Sequence, residues 1–169
     1  MFDKEYSFRG KHAEGVLRLT AKLDDKINRG IFKTNYDVYS LAPLIGVLYN
    51  RKAPLDKNDP TTKIFRDKMM DEMDQLMFNY RLVMMILNKD RRSLDERIEI
   101  AFKMDSKDSE RAQYDALYDD YVRGGVEVLV EHVFTAGKTS DECIMNLYEL
   151  LAEFNERYYS VIKDCNIYV

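Results

Sequence analysis

Tryptophan is missing from this 169-residue chain, and only three prolines, seven glycines, two cysteines and two histidines are present. So little proline and glycine excludes a loop-rich or low-complexity chain, and one third charged with nearly half hydrophobic residues describes a globular one. Two cysteines cannot form a disulfide framework. Cys143 and Cys165 stand at opposite ends of one expected helix, roughly 33 Å apart at about 1.5 Å per residue, and are read as free thiols. No apolar run approaches the ~20 residues that span a bilayer, and the amino terminus has no apolar leader core. With a net charge of −4 there is no overall basic field to draw the chain to nucleic acid or to a membrane. These absences describe a protein of the cytoplasm that does not enter membranes.

What is present is helical periodicity. Ala13, Val16, Leu19, Leu23 and Ile27 recur at three- and four-residue steps, which predicts a helix from Lys11 to Asn28 closed by Gly30. Thr34 with Asp37 makes a capping box ahead of a second helix, which Pro43 is expected to kink or break. Thr61 or Thr62 then opens a long periodic segment reaching about Asn88, in which Met69, Met73 and Met77 form a core stripe. Ser93 with Glu96 caps a short helix ending near Met104. A helix from about Ser109 meets Gly124-Gly125, read as a break or kink, and continues to Phe134. Its Val126–Phe134 stretch alternates enough to compete as a strand. Thr139 with Glu142 opens the last helix. The expected fold is all-α: one domain over residues 1–169, a bundle of six to seven helices with short loops, and an aromatic-rich core built from the twelve tyrosines and eight phenylalanines.

Catalytic signals are wanting. His12 and His132 lack metal-ligand spacing, and His12 reads as a packed, hydrogen-bonded ring. Gly124-Gly125 lacks the Lys and Ser/Thr of a phosphate loop. Glu149, Glu153 and Glu156 share one helix face and read as solvated charges. No catalytic residue, metal site or cofactor is expected, and the chain is read as a non-enzyme.

Two surfaces are candidates for partners. Lys11, Arg18, Lys22, Lys26 and Arg29 fall within an arc of about 80° on the first expected helix, a stripe suited to phosphates or to an acidic protein. Arg51 and Lys52 extend it. Tyr114, Tyr118 and Tyr121, beside Asp115, Asp119 and Asp120, form either an acidic protein-binding face or a cover over the core. Opposite local charges on one chain also suit a homo-oligomer.

Between Ile31 and Leu55 the residues follow F-x-T-x-x-D-x-x-x-x-A-x-x-x-G-x-x-x-x-R-x-x-P-L, carried by Phe32, Thr34, Asp37, Ala42, Gly46, Arg51, Pro54 and Leu55. This segment resembles small bacterial accessory proteins of Dnd-type DNA phosphorothioation systems, with Pro43 as a departure. The resemblance implies a helical accessory factor in DNA modification or defence, not a catalytic subunit. On residue chemistry alone, Ala42 and Gly46 permit close helix packing. The leading expectation is an interaction protein. Direct DNA binding through the basic stripe and a small enzyme with an unrecognised site are the alternatives.

Overall fold

The computed structural model describes residues 1–24, 29–87, 89–103, 108–134 and 139–164. Strand β1 (Tyr6–Arg9) leads into α1 (Gly10–Thr20) and α2 (Asn35–Leu48). Strand β2 (Thr61–Ile64) is followed by α3 (Arg66–Asp71), α4 (Met73–Ile86) and α5 (Leu94–Ile98), which widens into a π-helical turn at Glu99–Lys103. Two long helices, α6 (Asp108–Phe134) and α7 (Ser140–Asp164), complete the chain. The fold is a helical bundle with one small sheet.

Helix α6 is the spine, and α2 lies along it in the most extensive helix pairing of the molecule. The reason is absent side chains. A Cβ added to Gly46 would sit 2.2 Å from the Tyr121 carbonyl oxygen, and one added to Gly125 would sit 1.8 Å from that of Ala42. Backbone therefore rests on backbone, as the Ala42/Gly46 spacing predicts. Gly124-Gly125 does not break α6 as expected; the glycines form a flat seat for α2 and for the chain at Arg51. Helix α2 likewise runs unbroken through Pro43. Pro43 has no amide hydrogen to donate to the Tyr39 carbonyl one turn earlier.

All three expected capping boxes form. The Thr34 and Ser93 amides donate to Asp37 and Glu96 at 2.8 and 2.7 Å, and the Thr139 amide donates to Glu142 at 2.9 Å. Other boundaries differ from the periodicity. Helix α1 stops at Thr20, whose hydroxyl donates back to the Val16 carbonyl at 2.9 Å while Ala21 turns extended. Its amino end is closed from afar. Gly10, at φ +53°, donates to the Asn58 and Pro60 carbonyls, and the Lys11 amide donates to Asp56 at 3.0 Å. The long helix expected from Thr61 is three elements. Thr61–Ile64 pairs antiparallel with β1, Tyr6 opposite Ile64 and Arg9 opposite Thr61, and Glu72 separates α3 from α4. Val126–Phe134, where a strand competed, is helical as its helical flanks predict.

The core is aromatic, as composition suggests. Phe2, Tyr80 and Tyr118 meet ring to ring, and Tyr6, Phe8 and Tyr39 form a second group. Met69 and Met84 are buried, and Met73 and Met77 pack against the same core. Among the described residues, no helix is long and apolar enough to cross a membrane. Cys143 is a buried free thiol; Cys165 lies outside the described residues.

Candidate functional site

The structure disperses the basic stripe. Because α1 ends at Thr20, Lys22 and Arg29 stand on irregular chain and share no helical face with Arg18. Lys26 lies outside the described residues. Arg18 places its guanidinium 4.0 Å from the centroid of the Phe134 ring, and Lys52 lies over Tyr121 at 5.5 Å. Arg51 is held between Glu127, at 3.3 Å, and Glu131. Lys11 binds the other oxygen of Glu127 at 2.7 Å. Lysine and arginine here are largely matched by carboxylates and rings of their own chain.

That cluster includes His12, whose Nε2 lies 3.2 Å from Glu127 Oε1. Burial holds the imidazole below its ordinary value, against the upward pull of Glu127, so the ring is neutral at pH 7 and Nε2–H donates. Burial alone would raise Glu127, but the bonds from Lys11 and His12 outweigh it and hold the carboxyl below the usual range. A histidine beside a glutamate resembles half of a catalytic constellation. Here the ring is only 1% exposed and its Nδ1 is buried. It underlies a cleft lined by Lys11, Arg51, Glu127 and Glu131, but one ring nitrogen is bonded to Glu127 and the other is sealed in the core. It is the packed histidine that the sequence suggests.

Two of the three tyrosines point inward. Tyr118 and Tyr121 are buried, because the 114/118/121 stripe is the side of α6 turned toward the core. Tyr114 is half-buried, and its hydroxyl accepts from Arg92 at 3.3 Å. Those residues cover the core and do not form an exposed tyrosine face. Asp119 beside them is pushed up to about 7 by burial, against the opposing charge of Arg123.

An open apolar surface lies elsewhere, on α7. Cys143, Leu147 and Leu150 face the body, where α7 packs chiefly on α6. Ile144, Met145, Tyr148, Leu151 and Tyr159 face away and are 40–66% exposed, and Phe154, on the side of Leu147 and Leu150, is 46% exposed. Apolar residues thus occupy an arc of about 220° on this helix, against the roughly 100° that a helix buries on one neighbour. Ile144, Tyr148, Leu151 and Tyr159 lie within about 80° of one another, a single seam along the helix. The spacing is visible in the sequence, but only the placement of α7 at the edge of the bundle shows that half of it is uncovered. A smaller row, Phe78, Leu82 and Ile86, repeats every fourth residue on α4.

A family model, DNA sulphur modification system-associated protein 4, matches residues 9–159. The chain belongs to this family. The match extends the Phe32–Leu55 resemblance across nearly the whole fold. No curated protein and no solved structure matches the chain. Within this family framework, the α2–α6 seat, the His12–Glu127 cluster and the outer face of α7 all fall inside the matched span. No group of three or more His, Cys, Asp or Glu arranged to hold a metal ion occurs among the described residues.

Proposed function

We propose that this protein is a non-enzymatic accessory subunit of a DNA sulphur modification system, working in the cytoplasm by contact with other proteins of that system. The family gives the system, and the uncovered apolar face of α7 carries the proposed mode of action. Covering five large apolar side chains on one helix is favourable by about 25 cal/mol per Å² of apolar surface removed from water. Burial of His12 and its commitment to Glu127 favour a structural role for the group most suggestive of catalysis. The pairing of Arg51 and Lys11 with carboxylates favours protein contact over phosphate contact.

The test is co-purification of tagged full-length protein with the other proteins of its modification system, co-expressed. Wild type should retain at least one of them, and Tyr148→Lys with Leu151→Glu should retain none. Retention by the double variant equal to wild type would contradict the assignment to α7. Failure of wild type to retain any component, with salt-sensitive binding to duplex DNA instead, would favour the DNA-binding alternative.

A further inference from the structure

We infer that the α7 face receives an amphipathic helix carrying lysine or arginine along one margin. The inference rests on the accessory reading above and adds the chemistry of the occupant. Three observations support it.

The first is periodicity. Ile144, Tyr148 and Leu151 stand at i, i+4 and i+7, the spacing with which one helix meets another, and Tyr159 continues the line two turns on. From 144 to 159 the seam is about 22 Å long, enough for roughly four turns of a partner helix.

The second is the rim. Glu149, Glu153 and Glu156 are exposed and fall on the solvent-side margin of the seam, between about 120° and 180° from Ile144, just beyond Met145. None of the three forms an ion pair among the described residues. Along the first half of the seam the other margin is closed by the body through Leu147 and Leu150, and from Leu151 on every described residue of α7 is exposed. A helix laid in the seam therefore meets a row of carboxylates along one side, and protein on the other side over its first half. Basic residues on that side give the complementary potential, setting register and raising the association rate.

The third concerns a second copy of this chain. In an antiparallel two-fold pair of α7 helices, equivalent margins face each other. Glu149, Glu153 and Glu156 of both copies would then be brought together, and like charges at close range disfavour that pairing. Charge complementarity selects a basic-margined helix over self-association.

The test uses three synthetic peptides of about 18 residues, long enough for the seam. One carries leucines at i, i+4 and i+7 with a lysine margin, the second has the same leucines with a glutamate margin, and the third is a scramble of the first. Binding to the full chain is read by fluorescence anisotropy at about 50 and 300 mM salt. The lysine-margined peptide should bind at least about tenfold more tightly than the glutamate-margined one, with the advantage shrinking at high salt. Glu149→Lys/Glu153→Lys/Glu156→Lys should reverse the preference, and Tyr148→Lys/Leu151→Glu should abolish binding of both. Circular dichroism of each variant confirms that the helices persist. Equal binding of the two amphipathic peptides, equal binding of the scramble, or binding of none would overturn the inference. So would a concentration-dependent dimer lost in Tyr148→Lys/Leu151→Glu, which would assign the face to a second copy. Co-purification with the system's proteins is read separately, so the accessory reading can stand while the basic margin fails.

Discussion

Gly125 lies directly beneath Ala42, with an added Cβ only 1.8 Å from the Ala42 carbonyl oxygen. Gly125→Ala therefore separates α2 from α6 along their closest line. Alanine in a helix interior ordinarily gains about 1 kcal/mol over glycine. Here the enforced movement of backbone outweighs that gain, and a net loss of about 2 kcal/mol or more is expected from overpacking. The urea midpoint of Gly125→Ala measures it, and an unchanged or raised midpoint would refute the backbone seat.

Glu127 gathers Lys11, His12 and Arg51. Glu127→Ala removes the acceptor of a donor sealed in the core, at a cost of about 1–3 kcal/mol. His12, already below its usual value of 6.5 through burial, loses the carboxylate that pulls it upward. Its titration should move to lower pH still, as followed by NMR of the imidazole ring. In the wild type, an imidazole depressed on folding contributes stability above about 6.5 that is lost as pH falls through the folded value. Replacing half-exposed Arg51 with alanine should cost less, within about 1 kcal/mol.

Asp119 gives the opposite pH dependence. Burial, opposed by Arg123 and reinforced by Asp115 and Asp120, raises its carboxyl from 3.8 to about 7. A carboxyl raised on folding contributes stability that is full below the unfolded value of about 4 and is lost as pH rises through the folded value. Asp119→Asn stays neutral throughout. Its stability relative to wild type should increase between about pH 5 and 8, by a gain on the order of 3 kcal/mol. Urea denaturation at the two pH values reads the difference, and a gap independent of pH would contradict it.

Substitutions on α7 should divide by face. Tyr148→Lys and Leu151→Glu alter exposed side chains and should change stability by no more than about 0.5 kcal/mol. Leu150→Glu places a charge where the helix meets the body, and should melt at markedly lower temperature. Similar thermal losses for Leu150→Glu and Leu151→Glu would mean that the outer face is part of the core.

What was legible in the sequence was local. Thr34/Asp37, Ser93/Glu96 and Thr139/Glu142 cap the helices they precede, because a capping box closes within four residues. Ala42 and Gly46 indicated close packing correctly. Less legible was whatever depended on distant chain. The Tyr6–Ile64 pairing joins segments far apart in sequence, so Thr61–Ile64 read as the start of a helix. Gly124-Gly125 looked like a break because only the arrival of α2 reveals what the missing side chains are for. The Tyr114/Tyr118/Tyr121 stripe was visible, but its direction depends on which side of α6 the bundle occupies. Arg18, Lys22 and Arg29 seemed continuous only on a helix longer than the one that forms. Membership in the DNA sulphur modification family was foreshadowed by Phe32–Leu55, where packing residues and an exposed arginine share one short segment.

The proposed function places the contact with the modification system on the outer face of α7. Quantitative co-purification of wild type and Tyr148→Lys/Leu151→Glu, each co-expressed with the system's other proteins, tests it most directly. A partner should be recovered near stoichiometry with wild type and lost with the double variant, while both proteins remain folded. Equal recovery with the two would contradict it.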